Sequence, residues 1–174
     1  MKNLFKKAYS LIDRNKCITT QCDYIADILY SEYSNIPKDI LKYFFIRHSN
    51  QADEILKSIN PLIAHTIHVK VLNFNNKQLM DDRIIQNANF TNYPPAYAND
   101  ENREFYYDFY KNKYFIKGTW DYPIIAIKQK DKYIVIDGTC RFHHMQMCIL
   151  YSFKFLKNKH KVYILEGEFE NNEN

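Results

Sequence analysis

The sequence predicts an α+β fold, with helices over about the first 65 residues and alternating strands and helices after them. Three observations carry this. Cys22, Ile25, Ala26, Leu29, Tyr30 and Tyr33 repeat at helical spacing. The runs "HTIHVKVLNF", "YPIIAIKQ", "KYIVID" and "KVYILEGEF" are rich in β-branched and aromatic residues instead. One of only three glycines, Gly138, stands between "KYIVID" and the helical stretch "CRFHHMQMCILYSFKFLKN", which marks a tight strand-to-helix turn.

Along the first third, Leu4, Tyr9, Leu11 and Ile12 form a first apolar stripe. Thr19 and Thr20 are N-cap candidates for the second helix. Pro37 fits the first turn of a third helix carrying Ile40, Leu41, Phe44 and Phe45. Ser49 or Asn50 caps a short fourth, which Pro61 ends. After the strand in "HTIHVKVLNF", residues 75–104 are polar, contain Pro94-Pro95, and read as a long loop or insertion of the kind that is often functional. "EFYYDFYKNKYF" predicts a helix with an aromatic face, stopped at Gly118. "YPIIAIKQ" and "KYIVID" predict strands joined by the turn "KDK". The second has the near-continuous apolar character of a strand buried on both faces. A helix over 140–158, a closing strand and a frayed tail over 171–174 complete the chain. The domains expected are a helical region over 1–65 and an α+β domain over 66–170, with an insertion at about 75–100.

Composition narrows the function classes. A net charge of +4 across 174 residues is mild, whereas dedicated nucleic-acid binders concentrate basic residues on one face. Lys6, Lys7, Arg14 and Lys16 cluster near the start and Lys154, Lys157, Lys159 and Lys161 near the end, so a phosphate-bearing partner is allowed but not demanded. No apolar run reaches the ~18 residues of a membrane span, and charge interrupts the N-terminus before a signal-peptide core forms. The expectation is therefore a cytoplasmic protein without a membrane partner. The four cysteines have no CxxC spacing, so reduced thiols are expected rather than a zinc site. His65 and His68 would share a helix face only if the fourth helix reached them.

The turn "VIDGTCRFHH" carries the chemistry. Thr139 is a good N-cap, and the amides of a first helical turn attract anions. Arg141 adds a planar fork of donors at the same end. A cation there opposes the helix dipole, and an anionic ligand would remove that conflict. Asp137 ends the strand, where its carboxylate can accept a hydroxyl proton, hold Mg²⁺ or bond to turn amides. Helix start and Arg141 together favour deprotonation of Cys140, although a structural thiol is the plainer reading. Adjacent His143 and His144 point about 100° apart on a helix, so one is expected to pack and the other to reach the pocket.

The segment "YPIIAIKQKDKYIVIDGTCRFHHMQMC" resembles the core of the ParB/sulfiredoxin superfamily. That family's pattern is a helix and Gly, a Pro-led strand, a short turn, a strand ending Asp-Gly or Gly-Gly, two variable residues, Arg, and a helix. Here it falls on Gly118, Pro123, Asp137-Gly138, Thr139-Cys140 and Arg141. The resemblance spans about residues 67–169 and implies a mixed sheet with flanking helices. It also implies a nucleotide, ATP or another, whose phosphates sit at the turn with Mg²⁺. Gly138, Thr139, Cys140, Arg141 and His143 would then form the cradle, Lys117 and Thr119 would add contacts, and Asp137, Arg141 and His144 would do the chemistry.

The departures choose the branch. Sulfiredoxins place the reactive cysteine directly after Gly-Gly, where this chain has Thr139. Partition proteins carry Glu-Arg-Arg after the Gly. Free-serine kinases carry Asp-Gly-His-His-Arg and are nearest, although their catalytic Glu has no counterpart beyond Asp81 or Asp82. The resemblance therefore implies a phosphotransferase acting on a small hydroxyl-bearing acceptor, with a homodimer through the N-terminal helices as an expected assembly. The alternative is a non-catalytic or CTP-binding, DNA-associated or partner-binding module of the same fold.

Overall fold

The structure, a computed structural model, describes residues 1–53, 55, 67–87 and 103–167. The fourth helix beyond its first turn, His65, Pro61, Pro94-Pro95 and the tail lie outside the described residues. The chain divides into two compact units, residues 1–69 with 165–174, and residues 70–164.

The first unit is helical. Helix α1 (Lys2–Ser10) buries Leu4, Phe5 and Ala8. The inward stripe therefore runs through Phe5, and Tyr9, expected on it, is exposed and accepts a bond from Arg14 at 2.8 Å. Helix α2 (Ile18–Glu32) buries Cys22, Ile25, Ala26 and Leu29 of the predicted stripe, whereas Tyr30 is exposed and Tyr33 is the C-cap beyond the helix. Its N-cap is Cys17, not a threonine. Thr20 lies inside the first turn and donates its hydroxyl to the Cys17 carbonyl at 2.7 Å. Helix α3 follows Pro37, α-helical over Lys38–Ile40 and π-wound over Leu41–Ile46. Pro37 is its N-cap, one residue ahead of the position expected. The core joins Phe5, Phe44 and Phe45, with ring centroids 4.8 to 5.5 Å apart. Ion pairs Lys7–Glu32, Lys38–Asp27 and Lys42–Asp23 rim this unit. Such exposed pairs contribute little, so burial of the aromatic and aliphatic face holds the helices.

The second unit holds all but the ends of a five-stranded mixed sheet. Its strands are β1 (Ile67–Asn75), β2 (Ile85–Asn87), β3 (Ile124–Gln129), β4 (Lys132–Asp137) and β5 (Lys159–Gly167), in the order β1-β5-β3-β4-β2. β2 runs parallel to β4 and β3 antiparallel to it. β3 buries Ile124, Ile125, Ala126 and Ile127 in a row and exposes Lys128 and Gln129, while β4, expected to be buried on both faces, buries only Ile134 and Val135. The region read as a loop contains β2 and the short helix α4 (Asn76–Leu79). A capping box defines α4: Asn75 accepts from the Gln78 amide at 2.8 Å, and the Gln78 side chain accepts from the Asn75 amide at 2.9 Å.

Helix α5 (Arg103–Phe109) continues π-wound through Tyr110–Tyr114. It is over before Gly118, which closes a further turn at φ +71°. Helix α6 (Thr139–Leu150) covers the sheet, with Phe142, Met145 and Cys148 packed in one core with Ile124, Ala126 and Val135. It ends eight residues before the predicted stop, because Ser152 takes a left-handed conformation and returns Phe153 to the core. Among the described residues, no helix is long and apolar enough to cross a membrane.

Candidate functional site at the 137–144 turn

The β3–β4 register prepares this turn. Ala126 pairs with Val135 and Ile125 with Asp137, so Ile136 is an extra residue on β4, a bulge directly ahead of Asp137. Bulges bend a strand and re-aim the next side chain, and they recur beside functional sites. Gly138 follows with φ +79° and is itself the N-cap of α6, which makes Thr139 the first helical residue and not the cap. A Cβ on Gly138 would lie 2.6 Å from Arg141 Nη2 and 2.7 Å from Ile124 Cγ2. The glycine therefore supplies both the left-handed backbone and the room for a guanidinium.

Arg141 folds back over that glycine. Its Nη2 donates to Asp137 Oδ2 at 3.2 Å and its Nη1 to the Tyr122 carbonyl at 3.0 Å. Its guanidinium carbon stands 4.8 Å from the centroid of the Tyr122 ring, a cation–π distance. The conflict between Arg141 and the helix dipole is thus met within the chain: Asp137 places a carboxylate at the helix start, where the dipole favours it. Two of the five guanidinium N–H donors are committed among the described residues, and 24% of the Arg141 side chain stays exposed, against 16% for Asp137.

One turn along α6, His144 Nδ1 lies 2.6 Å from the buried Tyr110 hydroxyl, with the Tyr114 ring packed edge-on at 5.0 Å. Burial pushes the Tyr110 phenol well up, and burial followed by neighbouring His143 pushes the His144 imidazole down. Both groups are therefore neutral at pH 7. Tyr114 completes the wall: burial raises its phenol and the Arg141 charge partly offsets this. His143, half-buried, is likewise lowered by burial. Cys140 is exposed in the first turn. Tyr110→Phe is expected to cost about 1 kcal/mol in urea unfolding and to move the ¹⁵N resonances of the His144 ring. Unmoved resonances would mean that this bond is not made in solution.

Asp137, Gly138, Thr139, Cys140, Arg141, His143 and His144 therefore gather at one helix start. Lys117 and Thr119 are engaged elsewhere. Lys117 is exposed and pairs with Asp121 at 3.5 Å, and Thr119 Oγ1 bonds His160 Nδ1 at 2.9 Å. Sequence reasoning missed Tyr110 and Tyr122. The i, i+4, i+8 spacing of Tyr106, Tyr110 and Tyr114 and the tyrosine preceding Pro123 were the available signals. Asp81 is bound to Arg83, with Nη2 to Oδ2 at 2.8 Å, and that side-chain bond holds its carboxyl down at about 2.

Fold and site together define an α+β protein with a mixed five-stranded sheet, a bulged Asp-Gly turn, and an arginine held over the start of a covering helix. No family model, curated protein or solved structure matches the chain.

Proposed function

We propose that the 137–144 turn binds nucleotide phosphates, and that the protein is a phosphotransferase of ParB/sulfiredoxin type passing phosphate from ATP, or another nucleotide, to a small hydroxyl-bearing acceptor. One observation carries the reading: a partly exposed guanidinium is held over a Cβ-less helix start, with two of its five N–H donors bonded among the described residues. Phosphoryl transfer asks mainly for fixed positive charge around the transferred oxygens. Arg141 and the amides of the first turn of α6 supply it.

Asp137 holds Arg141 in place until phosphate arrives. Phosphate oxygens then take over the Nη2 donor, in the bidentate geometry that guanidinium favours. This frees the carboxylate to take the proton of the acceptor hydroxyl or to hold Mg²⁺. Among the described residues no three His, Cys, Asp or Glu side chains converge on a metal position. Mg²⁺ commonly binds one or two carboxylates together with substrate phosphates, and Asp137 would be such a ligand. When bound, Mg²⁺ would neutralise phosphate charge. His144, neutral and fixed by Tyr110, is a second proton carrier when Nδ1–H donates to the phenol and Nε2 keeps its lone pair. Thr139, Cys140 and His143 line the approach.

Arg141→Ala is expected to reduce ATP, ADP and CTP binding at least tenfold in calorimetry while the protein still melts in one cooperative transition, at a lower temperature because Asp137 loses its partner. Asp137→Asn is expected to retain or tighten nucleotide binding and to lose transfer. An Arg141→Ala protein that binds nucleotide as wild type does would refute the assignment.

A further inference from the structure

A second surface lies apart from this turn. Residues 109–120 and 151–165 contain no acid and together hold seven lysines. Together they carry seven positive charges, against a net +4 for the whole chain. The fold lays the two stretches side by side. The Lys157 amide donates to the Gly118 carbonyl at 2.9 Å, Thr119 Oγ1 meets His160 Nδ1 at 2.9 Å, and Trp120 Nε1 donates to the Lys161 carbonyl at 2.6 Å. Lys111 stands 5.2 Å over the Tyr107 ring, which packs edge-on against Phe155 at 5.3 Å.

Lys111, Lys117, Lys154, Lys157, Lys159 and Lys161 are all exposed. Among the described residues, only Lys117 of these has an acidic partner, the exposed Asp121. Lys159 and Lys161 alternate with buried His160 along β5 and so project from one face, about 6.6 Å apart. Ammonium groups strung along a strand and a loop cannot all be met by one small anion. They can be met together by a ligand whose negative charge repeats along its length.

We propose that this lysine ridge binds the phosphodiester backbone of nucleic acid without reading its sequence. His160 and Trp120 anchor the strand and the turn that carry the ridge, and a fixed row of ammonium groups suits a charged backbone. Phosphate contacts of this kind give affinity that falls with salt, at a log–log slope of about 0.9 per phosphate neutralised on duplex DNA.

The test is fluorescence anisotropy with a labelled 20-bp duplex and a 20-nucleotide single strand, titrated from 50 to 300 mM salt. The triple variant Lys157→Ala/Lys159→Ala/Lys161→Ala is expected to lose at least tenfold in duplex affinity at 50 mM salt and to flatten the slope by about 2.7. The Lys→Arg triple should bind as wild type does. A charge-matched triple in the first unit, Lys2→Ala/Lys6→Ala/Lys16→Ala, should change affinity less than twofold. Two results would each overturn the proposal: wild-type protein binding neither probe at 50 mM salt, in which case binding to phosphatidylserine vesicles would assign the ridge to lipid, or the first-unit triple weakening binding as much as the ridge triple. Nucleotide binding at Arg141 is read separately, so the two proposals stand or fall independently.

Discussion

Gly118→Ala is expected to destabilise the second unit by about 3 kcal/mol, roughly 6–12 °C in Tm for a chain of this size. Two effects add. The residue holds φ +71°, which costs an L-residue about 1–2 kcal/mol. Its new Cβ would also lie 2.5 Å from the Phe155 carbonyl oxygen and 3.2 Å from the Lys157 amide. Both are backbone atoms, tied down by the Lys157-to-Gly118 hydrogen bond at 2.9 Å, so no side chain can swing aside to make room. Gly138→Ala is the informative comparison. Its φ is similar, at +79°, but its Cβ would meet side-chain atoms, Arg141 Nη2 at 2.6 Å and Ile124 Cγ2 at 2.7 Å, rather than backbone. That alanine should cost less stability and instead push the guanidinium off the turn. Differential scanning calorimetry on both variants tests this. Equal melting temperatures would show that the Phe155 collision relaxes at no cost.

The two glycines also mark how far the sequence could be read. A glycine in a chain with only three is visible as a backbone requirement, and its place between a strand and a helical period located the turn at 138. What the glycine faces was invisible. For Gly118 it is a loop nearly forty residues away, and for Gly138 it is the side chain of Arg141, whose acidic partner Asp137 lies one helical turn before it. Helix α2 was legible because its burial follows one uninterrupted period, Cys22 through Leu29. Helix α1 was read out of phase because Tyr9 and Leu11 look apolar, while Phe5 and Ala8 do the packing. Strand β2 was lost for a different reason. Three residues carry no period, and its identity comes from parallel pairing with β4, a non-local fact. The capping box of Asn75 and Gln78 was written locally and was readable. The overlong reading of α6 followed Tyr151 and Phe153, which are buried as the helix pattern suggested but reach the core after the helix has ended.

His160 was not legible at all, and it sets the acid response of the fold. The side chain is fully buried at the start of β5. Its Nε2 donates to Asn76 Oδ1 at 2.8 Å, and its Nδ1 accepts from Thr119 Oγ1 at 2.9 Å. The neutral ring thereby ties α4, the 119 turn and β5 together. Burial pushes its pKa down from 6.5 to about 4, opposed by the Lys157 backbone, which raises it, and aided by the Lys157 charge, which lowers it. The native state therefore keeps this ring neutral while the unfolded chain protonates it near the ordinary histidine value. Stability linked to His160 is complete above about pH 6.5 and drains away as pH falls from there to about 4. The total is about 3 kcal/mol. His143 and His144, also lowered by burial, add losses of the same sign. Urea unfolding at pH 7, 6, 5 and 4 should give wild type a steeper decline than His160→Gln, with the difference approaching 3 kcal/mol at pH 4. Parallel curves for the two proteins would mean that the buried ring takes up its proton without opening the fold.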